Sequence, residues 1–534
     1  MIWQKKYCLI VIFIAAVVAI SLRLPHLNMR PMHTDEAVHA IKFGQLLEDN
    51  YYQYDRNEYH GPTLNYFTLI AAKLSSVNDL AGATEATLRI VPVFFGVLLV
   101  LMFIPAARGL GFFVAAVASI LVAVSPAMVF YSRYYIQESL LVCFTFGLII
   151  CGYCYTKERR IKWAVFAGIF AGLMHATKET SIIAFAAMVA AAILASIWNR
   201  LIDREEPRPK SSLNSLHIFI AVLAAVVVSV MFYSSFFSNL QGVIDSMLFY
   251  KTYFNRASGT MHIHPWYYYL KMLLFFKFGG GPVQSEGFII ILALVGSVVA
   301  LTKKGIAVED KSLLRFITFF TFVTIIVYSA IPYKTPWCML SFLCGLIILA
   351  AAGIAGLLSV ICGRFFKVAV CGIFLACILH LASQSCRGNF KYHADPANPY
   401  VYAHTHEDVP DVAGAIEEMA AVWPDGYNTY IQAIFPKDDY WPFPWYLRDF
   451  ERVAYQIKVM EELPAAAVII FSPLVQAKLM EQINAGEDSY VSLYNSYKQL
   501  RPAVELRVLV RKDLWERYQQ YKVDQVLQKT AGAK

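Results

Sequence analysis

Between Met29 and Ala40 the chain reads MRPMHTDEAVHA, which sets Asp35 and Glu36 side by side between His33 and His39, just past a long apolar run. Adjacent carboxylates can supply a general base, a nucleophile or ligands for a hard metal ion. Further ionisable residues stand beside other apolar runs: His60 in EYHGPTLNYF, Arg133 and Glu138 in YSRYYIQESL, Lys178 and Glu179 in HATKETS, and Lys334 in IPYKTPW. Charged groups in such places are costly and point to function. Two lysines and an arginine imply an anion, most commonly a phosphate. A phosphate at headgroup height beside aromatic residues points to a lipid phosphate, so the combination suggests group transfer from a lipid-phosphate carrier. Blander roles compete at each position. Arg133 and Glu138 can form a structural ion pair, Lys178 and Lys334 can snorkel to the interface, and His60 can be an interfacial hydrogen bonder. Thr34 or Asp35 can cap a helix EAVHAIKFGQLL, whose first turn favours acids. Capping and catalysis are compatible here, because a cap holds one carboxylate rigidly while aiming the other.

The elements that position these residues are membrane helices. Of the 534 residues 58% are hydrophobic and only 16% charged, against roughly 25% charged in a soluble domain. A spanning helix needs about 20 mainly apolar residues, and the stretches 7–25, 87–107, 111–130, 139–156, 163–178, 180–198, 216–236, 287–302, 314–332, 338–360 and 366–386 qualify. Alternate turns are rich in cations: Lys5 and Lys6, then Arg108, the 157–162 turn, Arg200 to Lys210, Lys303 to Arg315, and Arg364 with Lys367. The positive-inside rule then puts the N-terminus in the cytoplasm and Asp35, Glu36 and the tail outside a cytoplasmic (plasma or inner) membrane. The first span has a Lys-Lys start but no convincing A-x-A cleavage site and is expected to stay as an uncleaved helix. The net charge of +8 is not gathered in a basic soluble module, which argues against a nucleic-acid partner. All ten cysteines lie in or beside apolar runs and none follows Cys386, so disulfides do not hold the tail together. Cys151-Gly-Tyr-Cys154, inside an apolar run, reads as helix packing rather than a redox motif.

Two outer loops are long, 26–86 and 237–286. The first carries HGPTLNYFTLIAAKL, too short to span and suited to the interface. In the second, Pro265 can start a helix that Gly279-Gly280-Gly281-Pro282 ends. The tail alternates helical periods (412–422, 474–483) with β-rich pieces AAVIIFS and ELRVLVR, which predicts a small α/β domain. The expected organisation is a transmembrane catalytic domain over 1–386 and an extracytoplasmic domain over 387–534.

In order along the chain these motifs resemble the GT-C superfamily of integral-membrane glycosyltransferases, which includes protein O-mannosyltransferases and the aminoarabinose transferases of lipid A. HTDEAVHA resembles their first-loop Asp-Glu motif. EYHGPTLNYF is similar to the segment that follows, with His60 where a lysine often stands. SPAMVFYSRYYIQESL resembles the start of their fourth helix, with Glu138 where an aspartate is usual. HATKETS and IPYKTPWCML match their outer lysine turns. NPYVYAHTHEDV and PFPWYLRD in the tail bring the chain nearest to the flippase-activity-associated proteins of archaeal and bacterial surface-glycan clusters. The resemblance implies a polytopic α-helical membrane protein of GT-C fold with about 11 transmembrane helices and a small C-terminal α/β extracytoplasmic domain. It also implies a polyprenyl-phosphate-sugar donor, a glycan, lipid or protein acceptor, and inverting transfer with Asp35 as the base and Glu36 beside it. His60, Arg133, Glu138, Lys178 and Lys334 are the donor-binding candidates. No cofactor is certain. A divalent metal is left open, because some relatives bind one and others do not, and Asp35, Glu36, His262 and His264 are its candidate ligands. The alternatives are a transporter or flippase partner that binds lipid-linked glycan without chemistry, and a purely structural assembly factor. Transporters usually set their charges at the midplane among broken helices. Here the charges lie in outer loops, which favours catalysis.

Overall fold

The computed structural model describes residues 2–56, 60–203, 214–257, 262–302, 309–461, 464–486 and 489–532. The chain forms two compact units: one of Met1–Leu27, Gln45–Ser76 and Thr84–Tyr402, and a second of Asn28–Gly44, Val77–Ala83 and Ala403–Lys534. The division differs from two consecutive segments. Two pieces of the first long loop pack with the tail, and the helix across residue 386 continues unbroken to Phe390.

The first unit is helical. In chain order its elements are α1 (Ile2–Arg23), then α2 (Thr34–Asp49), which passes from the second unit into the first, and α3 (Thr63–Leu74). Next come α4 (Glu85–Leu101) with its continuation α5 (Phe103–Leu110), α6 (Phe112–Val124) with α7 (Pro126–Tyr131), α8 (Glu138–Glu158), α9 (Ile161–His175) and α10 (Ser181–Asp203). The unit is completed by α11 (Ser215–Tyr233), α12 (Gln241–Ala257), α13 (Tyr268–Leu274), α14 (Gly287–Leu301), α15 (Lys311–Ala330), α16 (Leu340–Val360) and α17 (Arg364–Phe390). Each of the eleven apolar stretches is helical. Among the described residues eight helical segments are long and apolar enough to cross a membrane, while Phe112–Val124, Ile161–His175 and Gly287–Leu301 are shorter. The cations expected at Arg204, Arg208, Lys210, Lys303 and Lys304 lie outside the described residues.

Small residues let these helices close up, as they must where hydrocarbon supplies no hydrophobic drive between them. A Cβ on Gly296 of α14 would stand 1.8 Å from the Leu349 carbonyl oxygen of α16, and one on Gly353 would stand 2.1 Å from that of Leu292. α11 and α17 keep Leu216, Phe219, Val222 and Val226, and Phe365, Val368, Ile373 and Leu379, exposed. Faces that apolar suit lipid, not water. This is a multi-pass membrane protein.

Two expectations for the outer loops shift. The 237–286 loop opens with a helix, α12, that was not expected. Its second helix runs only over Tyr268–Leu274, after which Phe276 and Gln284 bridge to close a hairpin around the glycines.

The second unit holds α18 (Asp408–Ala420), α19 (Phe443–Tyr446), α20 (Gln476–Ala485), α21 (Lys512–Gly532) and six strands: β1 (Ile431–Ile434), β2 (Val453–Gln456), β3 (Val468–Phe471), β4 (Tyr490–Ser492), β5 (Lys498–Arg501) and β6 (Val504–Arg511). The sheet order is β2-β1-β3-β6-β4, with β5 on β6; β1 is parallel to β2 and β3, while β6 is antiparallel to β3, β4 and β5. Alternation sorts the side chains, since successive residues of a strand face opposite ways. Ile431, Val468, Ile470 and Val508 pack with Val412, Ile416 and Met419 of α18, whereas Ile434, Ile469, Phe471 and Leu509 pack with Leu479 and Ile483 of α20.

Candidate active site

In the second unit the Asp-Glu pair opens α2. Glu36 is fully buried, accepts from the His33 backbone N–H at 3.1 Å and lies 3.7 Å from the Arg30 guanidinium. The cap therefore comes from His33, whose Nδ1 accepts from the Asp35 N–H while Glu36 reaches back out of the first turn to the His33 N–H, where Thr34 or Asp35 was expected to cap, and the Asp35 carboxylate is left for other work. Its side chain is 45% exposed. The Asp35 N–H donates to His33 Nδ1 at 3.1 Å, which assigns the ring proton to Nε2.

This turn is gripped by the two tail motifs singled out above. The Met32 N–H donates to the Tyr446 hydroxyl at 2.8 Å and the Met32 carbonyl accepts from the Thr405 hydroxyl at 2.6 Å. The His33 and His404 rings stack with centroids 5.7 Å apart. Arg448, lying over Trp445, donates to the Leu80 and Ala83 carbonyls at 3.1 and 2.9 Å. Within the second unit, then, PFPWYLRD and YAHTH clamp both loop segments.

In the first unit three turns gather the remaining candidates. The α9–α10 turn presents Lys178 and Glu179. Lys178 forms a buried ion pair with Glu138 at the start of α8. Burial alone would pull the Lys178 pKa down, but Glu138 holds it above the usual lysine value, so it stays charged. Glu179 accepts from His60 Nδ1 at 2.7 Å. That approach needs Gly61, where a Cβ would stand 2.2 Å from the Ala176 carbonyl oxygen. Glu138 Oε2 and Glu179 Oε1 are buried and have no hydrogen-bond partner among the described residues.

Arg133 and Glu138 do not pair with each other. The Arg133 guanidinium donates to the carbonyls of Arg23 and Pro25, both at 2.7 Å, and of His26 at 3.1 Å, and it lies 4.9 Å from the Phe390 ring centroid. It closes the carbonyl end of α1, a structural task that occupies the donors a phosphate would need.

Lys334 is different. Its side chain is 1% exposed and donates to the carbonyls of Ile331 and, at 3.2 Å, of His264. Among the described residues no carboxylate forms an ion pair with it. Burial lowers its pKa. The 262–264 and 332–334 backbones pair antiparallel through His264 N–H to Pro332 O at 3.2 Å and Lys334 N–H to His262 O at 3.0 Å. His262 and His264 both meet the Tyr402 hydroxyl, at 2.6 and 3.1 Å, and burial with the neighbouring cationic groups lowers the His264 pKa.

Sequence reasoning missed Glu286 and the tyrosines around it. Glu286, fully buried at the start of α14, accepts from the Ser125 hydroxyl (2.5 Å), the Ala127 N–H (2.9 Å) and the Tyr400 hydroxyl (2.7 Å). It anchors the segment that delivers Tyr402 to the two histidines. The signal was present, since SEGFIII sets an acid directly before an apolar run.

Among the described residues no group of three or more His, Cys, Asp or Glu side chains could hold a metal ion. Glu36 is committed to His33 and Arg30, and His262 and His264 to Tyr402. Among the described residues the four candidate ligands do not form a coordination set.

A family model described as dolichyl-phosphate-mannose-protein mannosyltransferase matches residues 71–239. Comparison with curated protein sequences gives no match. Among solved structures, ArnT from Cupriavidus metallidurans bound to undecaprenyl phosphate is similar at TM-score 0.62 and 14% identity, covering 95% of this chain and 98% of that one. The oligosaccharyltransferase AglB of Archaeoglobus fulgidus, in complex with an inhibitory peptide and a dolichol-phosphate, is similar at TM-score 0.51 and 12% identity, covering 96% and 77%. The mycobacterial arabinofuranosyltransferase AftD is similar at TM-score 0.50 and 10% identity, covering 95% and 40%. The chain thus shares its fold with these membrane glycosyltransferases, and its segment 71–239 matches the mannosyltransferase family model.

Proposed function

We propose that the protein transfers a sugar from a polyprenyl-phosphate donor to a glycan, lipid or protein acceptor at the outer face of the membrane, with inversion at the anomeric carbon. The observation that carries this reading is Lys334, a buried lysine without a carboxylate partner among the described residues. A buried charge is expensive unless paired, and the lipid phosphate is the missing anion. In the transfer, the Asp35 carboxylate takes the acceptor proton and the acceptor oxygen bonds to the anomeric carbon. The bond from that carbon to the phosphate oxygen breaks, and the charge gathering on the departing phosphate is met by Lys334. Glu36 holds the Asp35 turn. The unpartnered oxygens of Glu138 and Glu179 accept from the donor's hydroxyls, and Lys178, already neutralised by Glu138, keeps the first of these in place. Arg133 supports the site through α1 and does not bind the donor.

Catalysis is preferred over passive binding of lipid-linked glycan because the half-exposed Asp35 carboxylate on a clamped turn is placed as a positioned base. Incubating the purified protein with a panel of polyprenyl-phosphate sugars and an acceptor extract should release free polyprenyl phosphate with one of them. Tight binding of a donor with no release across the panel would favour the binding protein.

A further inference from the structure

At the far end of α8 from Glu138, about 30 Å along a helix rising 1.5 Å per residue, α8, α10 and α15 enclose a cleft of about 530 Å³. Its walls are apolar, with Ile149, Met188, Leu313 and Phe316 among them, and Gly152, Ala192 and Ala195 give it its width. A Cβ on Gly152 would meet nothing within 4 Å. Along the adjoining face of α10, Val189, Ile193 and Ile197 are exposed, so the cleft borders surface suited to hydrocarbon. Its mouth is polar and carries both signs of charge. Lys157 and Asp310 pair at 2.5 Å beside Ser312 and Asn199.

The two halves of that ion pair differ. Asp310 is nearly buried and caps α15, its Oδ1 accepting from the Ser312 and Leu313 N–H groups at 2.8 and 3.4 Å, so it is fixed. Lys157 is 47% exposed on a long stem and can swing. A fixed anion beside a mobile cation, above an apolar slot, matches a molecule that carries a phosphate next to an ammonium on an acyl chain.

We propose that this cleft is a second lipid site, separate from the donor site, which holds a membrane phospholipid with a phosphoethanolamine headgroup. Its acyl chain fills the slot, the phosphate accepts from Lys157 and the Ser312 hydroxyl, and the ammonium donates to Asp310 Oδ2. A choline headgroup has no N–H to donate, and a glycerol headgroup offers Asp310 only neutral hydroxyls, with no ammonium to balance the carboxylate. Pockets of this size and polarity commonly bury amphiphiles.

The test is native mass spectrometry of the full-length protein, delipidated in detergent and titrated separately with phosphatidylethanolamine, phosphatidylcholine and phosphatidylglycerol. Phosphatidylethanolamine should be retained about tenfold better than the other two, the difference one charge-assisted hydrogen bond makes. Gly152→Leu, which replaces a helix-weakening residue and fills the slot, should abolish retention. Asp310→Asn, which keeps a capping residue, should erase only the preference. Neither variant should change sugar transfer. Equal retention of all three lipids, retention by Gly152→Leu, or displacement of the bound lipid by polyprenyl phosphate would each overturn the proposal.

Discussion

Replacing Lys334 by glutamine separates a phosphate-binding lysine from a structural one, because the two roles predict opposite effects. The ammonium is almost wholly desolvated and, among the described residues, has two carbonyl acceptors but no carboxylate. Burial holds its pKa below the ordinary lysine value of 10.5. A lysine whose folded pKa lies below its unfolded value costs stability while it is protonated, and that cost is relieved as pH rises through the folded pKa. Glutamine removes the charge and keeps a donor for one carbonyl, so the apo protein should melt at the same temperature or higher. Donor binding should move the other way. Losing one charge-assisted hydrogen bond of about 1.5–3 kcal/mol weakens affinity roughly 10- to 150-fold. In the unaltered protein, donor affinity should also decline with rising pH before 10.5 is reached, since the phosphate binds the protonated form; in Lys334→Gln that decline should vanish. Thermal melting in detergent and equilibrium binding of a labelled polyprenyl-phosphate sugar, both measured from pH 7 to 10, suffice. Unchanged affinity together with a lowered melting temperature would show that Lys334 serves its two carbonyls alone, and the phosphate site would have to be sought elsewhere.

Asp35→Asn should leave membrane insertion and donor binding nearly intact while lowering transfer by about 10²- to 10⁴-fold, as measured by polyprenyl-phosphate release; a folded variant with full activity refutes the base assignment. Tyr446→Phe with Thr405→Val removes both hydrogen bonds on Met32, worth about 1–3 kcal/mol together, and should reduce turnover roughly 5- to 150-fold with unchanged donor affinity, unless the tail has no part in holding the Asp-Glu turn. Glu286→Gln keeps the shape but sets an amide among three donors, and should cost about 1–3 kcal/mol, seen as a lower melting temperature. For topology, a cysteine at Arg160 should be shielded from impermeant reagent in intact cells and one at Asp425 should react; the reverse labelling would move the active site to the other face.

Much of the architecture was legible in the residues because hydrocarbon enforces a simple code. A chain that crosses a membrane must satisfy its backbone within each segment, so every apolar stretch became a helix and the turns between them, with Lys178 and Lys334, could be located. α12 escaped notice because it is far less apolar than the spans and so did not stand out from the loop around it. The tail's β3 and β6 followed from their β-branched runs. Asp35 and Glu36 were recognisable as a pair, and so were the lysine turns.

The sequence alone therefore determined which residue types stand beside the membrane surface, and in what order. Only the tertiary structure decided what each is free to do. Arg133, Lys178 and Lys334 are all cations beside apolar helices, yet the fold spends Arg133 on the carbonyl end of α1, neutralises Lys178 with Glu138 and leaves Lys334 without a carboxylate among the described residues. Likewise the fold gave the cap to His33, backed by Glu36, and the exposure to Asp35, and it brought Tyr446 from more than four hundred residues away to hold Met32 in place. Hydropathy and propensity act over a turn or two of chain. The partner of a buried charge is chosen by packing across the whole fold, where an unpaired group costs several kcal/mol and a paired one little.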